Sequence, residues 1–256
     1  MTELKDFEKI LDFEKILNAI AKKDESRFHS KHPAKFSPTE LSGCLRNSYY
    51  NRLFPEEYDD KTYLNFLYGN VIHELFQKHL DWKERDKVLK DVLGDNIRYI
   101  ENEKGFHYLL PLEKTNNERI VISGRLDSII YLKDNPIPVV VDYKTTGMIK
   151  YNEKAPKDAH VSQLNFYLGC MLADYGILVY INKPDLKIVQ HTVPWSPQIF
   201  NEMVDFAISL KKAIDTNVVP DCDIIKMEQD GYCSYCKHKD KCKAHEATKK
   251  VIWWHY

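Results

Sequence analysis

Asp127, Asp142 and Lys144 are the residues of this chain best suited by type and spacing to carry chemistry. Asp127 closes Gly124-Arg125-Leu126-Asp127, and the other two lie in Val140-Val141-Asp142-Tyr143-Lys144-Thr145. Both stretches read as strands, and Lys133-Asp134-Asn135-Pro136 is a turn that joins them into a hairpin. Residues two apart in a strand share a face, so Asp142 and Lys144 point one way while Val141 and Tyr143 point the other. Asp127 can then stand beside Asp142. Two such carboxylates repel unless a cation lies between them. Hard oxygen ligands with open positions suit Mg²⁺ or Mn²⁺. A lysine two residues beyond a carboxylate reaches the water or phosphate that such a metal activates. Aspartate is disfavoured in strands, yet both of these sit in apolar segments, which argues against simple surface charges.

Three further groups sit near this hairpin or at a distance from it. Gln163 and Tyr167 are four apart, hence on one helical face, and flank the apolar stripe of Leu164, Leu168, Met171, Leu172 and Tyr175. His73, in Gly69-Asn70-Val71-Ile72-His73-Glu74, lies on a partly apolar helix, where a lone histidine is usually structural. Cys233-x2-Cys236-x5-Cys242 is a metal-type cluster whose intervening polar residues give no reason to bury thiols. Three thiols leave a fourth ligand to find. Cys44 is the distant candidate, and His245 is the near one, as in a small zinc site. Cys170 reads as a small core residue, and Cys222 as structural or incidental.

The elements that must position these residues follow from periodicity. The hexamer DFEKIL occurs twice in succession at residues 6–17, read as a duplicated piece of helix. Residues 26–35 read as a linker. Ser37-Pro38-Thr39-Glu40 has the form of a capped helix start with a capping box, and that helix is expected to carry Cys44. A second helix is expected over residues 63–80. Strands are expected at 106–112, 120–132 and 137–145, then a helix at 159–175 closed by Gly176 as its C-cap. Strands at 177–181 and 187–193 flank a turn at 182–185, and a helix at 197–214 shows Ile199, Met203, Phe206 and Leu210 on one side. This order predicts an α/β (α+β) fold with a mixed central sheet flanked by helices. Residues 1–36 would form an N-terminal helical extension and linker, and residues 37–256 a single domain with a Cys-rich tail.

The chain has 256 residues, 37 Lys+Arg against 38 Asp+Glu, and a net charge of -1. That excludes a histone-like binder acting through bulk charge, but not an enzyme with a basic groove and an acidic metal site. No apolar run approaches the ~18–20 residues of a membrane span, and the charged N-terminus is unlike a secretory signal. The protein is therefore expected to be intracellular (cytoplasmic) with no membrane partner, where clustered cysteines favour metal binding over disulfides.

Taken together, Cys44 in SPTELSGCLR, His73 in GNVIHE, Asp127 in GRLD, Asp142 and Lys144 in DYKT, Gln163 and Tyr167 in QLNFY, and the three tail cysteines resemble the RecB-like PD-(D/E)xK nucleases. Within them the chain looks most like the iron–sulfur exonucleases of the CRISPR-associated Cas-four type. The resemblance runs from Ser37 to Cys242. No proline precedes Asp127, and Asp stands where Glu is usual at 142; both departures keep the ligand chemistry. The resemblance implies a restriction-endonuclease-like core and a metal-dependent deoxyribonuclease, an exonuclease acting on single-stranded DNA or frayed ends. It implies that His73, Asp127, Asp142 and the Tyr143 carbonyl bind Mg²⁺ or Mn²⁺, that Lys144 orients the attacking water, and that Gln163 and Tyr167 position the strand. It also implies that Cys44, rather than His245, joins Cys233, Cys236 and Cys242 around a [4Fe–4S] cluster. CRISPR adaptation or recombination proteins would be partners, and viral DNA processing or repair would be equally natural settings. The six lysines of residues 233–250 would grip the DNA backbone or solvate the tail. The rival reading from another class is a non-catalytic DNA- or protein-binding module with a zinc tail.

Overall fold

The computed structural model describes residues 13–25, 32–80, 96–111, 119–221 and 232–252. The first DFEKIL copy, most of the linker and Cys222 lie outside the described residues. In chain order the elements are α1 (Phe13–Glu25), β1 (Lys35–Phe36), α2 (Pro38–Leu41), α3 (Leu45–Leu53), α4 (Asp60–Leu80), β2 (Ile97–Leu109), β3 (Val121–Leu132), β4 (Val139–Thr146), α5 (Asp158–Met171), β5 (Tyr175–Asn182), β6 (Ile188–Pro194), α6 (Pro197–Thr216) and α7 (Lys239–Ile252). Short 3₁₀ turns occupy Ile149–Tyr151 and Tyr232–Tyr235.

The expected α/β fold with a mixed sheet is what the chain forms. β3 is antiparallel to β2 along one edge. Its other edge pairs with β1, in parallel, at Val121 and Ile122, and with β4, antiparallel, at residues 128–130. β4 then runs parallel to β5, and β6 closes the sheet antiparallel to β5. The hairpin turn predicted at 133–136 joins β3 and β4 as expected.

Alternation along the central strands builds two cores. Val140, Leu178 and Tyr180 pack with Leu164, Tyr167 and Leu168 of α5. Val141, Tyr143, Val179 and Ile181 pack on the opposite face with Ile72 of α4. A third cluster joins α2, α3 and α6 through Leu41, Tyr49, Met203 and Leu210. Of the residues expected to face inward on α6, Met203 and Leu210 are buried, whereas Val204, Ala207 and Ala213 share that role.

Several boundaries differ from expectation. The Ser37 hydroxyl does accept the Glu40 N–H at 3.2 Å, but Glu40 does not close a capping box. Its carboxylate instead takes two bonds from Arg52, at 2.5 and 2.6 Å. The capped helix is only four residues long, so Cys44 falls beyond it, as N-cap of α3. α5 stops at Met171 with Leu172 in the left-handed region (φ 52°), and Gly176 lies inside β5. A Cβ there would come within 2.8 Å of the Val140 carbonyl, so this glycine serves close strand and helix packing. β2 begins nine residues before the expected start, at Ile97.

Candidate active site

The last ladder pair between β3 and β4 is Ser128 opposite Val141. Asp127 and Asp142 are the next residue on each strand, where the two strands part. β4 continues alone with β5, and Asp127 spans the divergence by accepting the Tyr143 backbone N–H at 2.8 Å. A side-chain bond replaces the missing ladder bond. The gap lets helices from both faces of the sheet reach one place: α4 supplies His73, and α5 supplies Gln163 and Tyr167.

His73 Nδ1 lies 3.6 Å from Asp127 Oδ1. Lys144 Nζ lies 2.8 Å from Asp142 Oδ2, as the shared-face argument requires. The same ammonium donates to Gln163 Oε1 at 3.0 Å, and Gln163 Nε2 donates to the Tyr167 hydroxyl at 2.8 Å. The expectation that Gln163 and Tyr167 flank the packed face is corrected: both are buried within it, since α5 buries every residue from 163 to 168. A buried amide must find partners, and Lys144 with Tyr167 supplies them.

The two carboxyls differ in electrostatics. Asp142 is 2% exposed, and burial pushes it up to about 6, with Lys144 pulling back and Asp127 adding to the rise. Burial also opposes charge on Asp127, but His73, Lys144 and the Tyr143 N–H outweigh it and hold that carboxyl below its ordinary value. The His73 imidazole is correspondingly raised, because Asp127 outweighs its own burial. Tyr167 is pushed well above the ordinary phenol range by burial and by Asp142, so its hydroxyl remains neutral.

Among the described residues, no group of three or more His, Cys, Asp and Glu side chains stands together as a metal-holding set. The donors nevertheless fit a hard divalent cation. Asp142 Oδ2 is buried without an aligned hydrogen bond, despite its contact with Lys144. A second carboxylate and an imidazole stand beside it across the strand gap.

The cysteines form a second centre at the start of α3. Cys44 is its N-cap residue, and burial together with Cys44 and Cys242 raises the Cys236 thiol. Cys236 Sγ donates to Asn47 Oδ1 at 3.4 Å. Cys233 begins this turn, its carbonyl accepting the Cys236 N–H at 3.4 Å. Cys236 and Cys242 of the tail thus lie near Cys44 at the start of α3, a neighbourhood suited to a thiolate-bound group, although among the described residues the thiols do not close into a metal-holding set. Cys170 packs at the edge of the α2–α3–α6 core, and burial raises its thiol to about 12.

Two residues of this second centre escaped the sequence reading. Arg46 is fully buried; it donates from Nε to the Pro220 carbonyl at 2.9 Å and from Nη1 to Cys242 Sγ at 3.1 Å, and pairs with Glu246 at 2.8 Å. His238, also buried, meets Asn51 Oδ1 at 2.9 Å and packs on Tyr50. The only available signal was position, Arg46 being two residues after Cys44 and His238 two after Cys236. The tail lysines are also partly committed: Lys237 donates to the Glu56 carbonyl at 2.7 Å and lies over Tyr58, and Lys241 pairs with Glu56.

The profile of the PD-(D/E)XK nuclease superfamily matches residues 27–243. The chain belongs to this superfamily. As a PD-(D/E)XK nuclease it is also similar to a CRISPR-associated exonuclease Cas4 of Saccharolobus solfataricus, with 32% identity over 123 residues, 48% of this chain and 52% of that protein. The chain thus matches about half the length of this curated relative. The crystal structure of SSO0001 shares the nuclease fold, with a TM-score of 0.58 at 21% identity over 88% of this chain and 92% of that one. A phage-related exonuclease from Haemophilus somnus 129PT gives a TM-score of 0.44 at 14% identity, covering 72% of this chain and 95% of that one. No helix among the described residues of this nuclease is long and apolar enough to cross a membrane.

Proposed function

We propose that this nuclease is a Mg²⁺- or Mn²⁺-dependent deoxyribonuclease acting as an exonuclease on single-stranded DNA or frayed ends. The observation that carries the proposal is the strand gap, which sets buried Asp142, Lys144, Asp127 and His73 around one point, with Gln163 and Tyr167 behind them. His73, Asp127, Asp142 and the Tyr143 carbonyl would hold the metal, which when bound lowers the pKa of water and stabilises charge on the phosphate. Lys144, between Asp142 and Gln163, orients the attacking water and meets negative charge as it develops. Gln163 fixes the Lys144 ammonium. Tyr167 fixes the Gln163 amide, so both would position the strand through Lys144. The Cas4 relative supports the exonuclease reading; on that reading the chain would trim DNA ends in CRISPR adaptation, viral DNA processing or repair, with adaptation or recombination proteins as partners.

Cys44, Cys233, Cys236 and Cys242 would hold a [4Fe–4S] cluster, the reading supported by the convergence of the thiols at α3 and by the Arg46 bond to Cys242. The deciding experiment combines end-labelled single-stranded DNA with Mg²⁺, Mn²⁺ or excess chelator, on protein purified without oxygen and assayed for iron, sulfide and zinc. Metal-dependent shortening from an end, with about four irons per chain, is expected. Cleavage undiminished in chelator, or no cleavage of any strand, overturns the nuclease reading. One zinc without sulfide overturns the cluster alone and transfers the fourth ligand to His245.

A further inference from the structure

A cavity of about 400 Å³ opens where α4 meets the turn between β5 and β6, lined by Lys61, Leu64, Asn65, Tyr68, Lys183 and Pro184. Lys183 is held rather than waving in solvent. Its ammonium donates to the Asn65 carbonyl at 2.9 Å and to the Asn65 side chain at 3.2 Å. Its backbone carbonyl accepts from the Tyr68 hydroxyl at 3.2 Å, and its N–H donates to Thr146 at the end of β4, at 2.8 Å. The Tyr68 ring is 48% exposed despite these bonds. Asp60, the acid next to Lys61, is matched by Lys22 of α1 at 2.8 Å. Asp59 also lies within electrostatic reach of Lys61, but the cavity lining itself holds two lysines and no acid, beside the Tyr68 ring over which the Lys183 ammonium lies at 5.8 Å.

The cavity adjoins the candidate active site along two elements. Asn65, Gly69 and His73 follow one another at four-residue steps on α4, about 6 Å apart along the axis. Gly69 lies against Thr145, where a Cβ would stand 3.2 Å from the hydroxyl oxygen. Thr145 directly follows Lys144. The cavity is thus roughly 12 Å from His73 along the helix, about two nucleotide steps of an extended strand.

We infer that this cavity is a subsite for single-stranded DNA, in which a base stacks on Tyr68 and a phosphate is met by Lys61 and Lys183, about two nucleotides from the bond to be cut. The inference rests on the nuclease reading and extends it by giving the strand a direction out of the site. Backbone cations combined with an exposed ring are the features by which proteins hold single strands without reading sequence. Neither lysine lies in the catalytic set, so the subsite governs binding and the reach along the strand, and leaves the hydrolytic step to the strand gap.

The test measures kcat and KM on single strands of two to twenty nucleotides, and Kd by anisotropy with Ca²⁺ in place of the active metal. Tyr68→Ala and Lys61→Ala/Lys183→Gln should each raise KM and Kd for the long strand by about tenfold, as expected for one stacked base or two phosphate contacts. The increase should grow with strand length, and the double lysine variant should flatten the salt dependence of Kd. Tyr68→Phe keeps the ring and loses only the bond to Lys183, so it should retain most of the affinity. Lys212→Ala, an exposed lysine on α6, controls for bulk charge. Variants that bind and cleave long strands as the parent does overturn the subsite while leaving the nuclease reading intact. Loss of affinity in Tyr68→Phe equal to that in Tyr68→Ala assigns Tyr68 to holding the turn and overturns the stacking role. A parent protein that neither cleaves nor binds DNA overturns the nuclease reading and the subsite together.

Discussion

The strand gap and the cysteine centre both bury charged groups, but they handle them in opposite ways. In the gap, Asp142 faces a second carboxyl, Asp127, as well as the Lys144 ammonium, and its proton affinity is high for a carboxyl. At the cysteine centre, Arg46 meets a carbonyl, a thiol and a carboxylate and locks the tail onto α3. Buried charge set against like charge is poised for a cation, while buried charge matched by an opposite charge and by acceptors closes a structure. Substitutions in the first region should therefore cost activity and spare stability, and those in the second should do the reverse.

The largest effect is expected from Asp142→Asn. Cleavage of end-labelled DNA should fall by about 10²-fold or more, with similar losses for Asp127→Ala and Lys144→Ala. The melting temperature in chelator should stay level or rise for Asp142→Asn, because a buried charge is removed. A variant that melts well below the parent would break the contrast. Arg46→Met is the counterpart. It leaves Glu246 and the Pro220 carbonyl without their guanidinium, at a cost of about 3–5 kcal/mol. It should lower the melting temperature and the iron content together, and reduce activity less than the melting data would suggest at low temperature.

Titration sharpens the contrast further. The Asp142 carboxyl is raised to about 6 by burial, so the folded state holds that proton more tightly than the unfolded chain does. Its contribution to stability is fully present below about pH 4 and is lost as pH rises through about 6. Metal binding needs the ionised form and runs the other way: protons compete with the cation, so the metal concentration needed for activity should rise as pH drops below about 6. His160, lowered to about 3 by burial and by Lys144 and Lys157, contributes stability above about pH 6.5 that is lost as pH falls towards 3. Chelator-treated protein melted across pH 4–8, beside initial rates over the same range, checks both signs. The smallest effect is expected from Tyr167→Phe, which removes one buried hydroxyl from Gln163 and should cost about 1 kcal/mol of stability with a several-fold loss of rate.

The gap was far more legible in the sequence than the cysteine centre. Period-two alternation placed Asp127, Asp142 and Lys144 correctly, because local pairing across one turn sets their geometry. The early part of β2 was hidden by two irregularities: a register shift between Ile97 and Tyr99, and Glu103 at φ 55°. Each breaks the alternation on which strand reading depends. Gly176 looked like a helix terminator, and only the parallel pairing of β4 with β5 shows why a side chain is excluded there. Arg46 was illegible because its partners lie 174 and 196 residues away. The cysteine spacing marked the tail as special without showing where it docks.

That separation has a consequence for the order in which a growing chain can mature. Strands β2 to β6 and α6 are all made before α7 leaves the ribosome, so every residue of the gap exists while Arg46 still lacks Cys242 and Glu246. In a nascent chain ending at residue 221, Arg46 would have the Pro220 carbonyl but not yet Cys242 or Glu246. The hydrolytic half can thus assemble early, whereas α3, though packed on α2 and α6, gains its Cys242 and Glu246 partners only when α7 arrives. Pulse proteolysis of chains stalled at residue 221 should cut first within α3, and completion of the tail should abolish that cut.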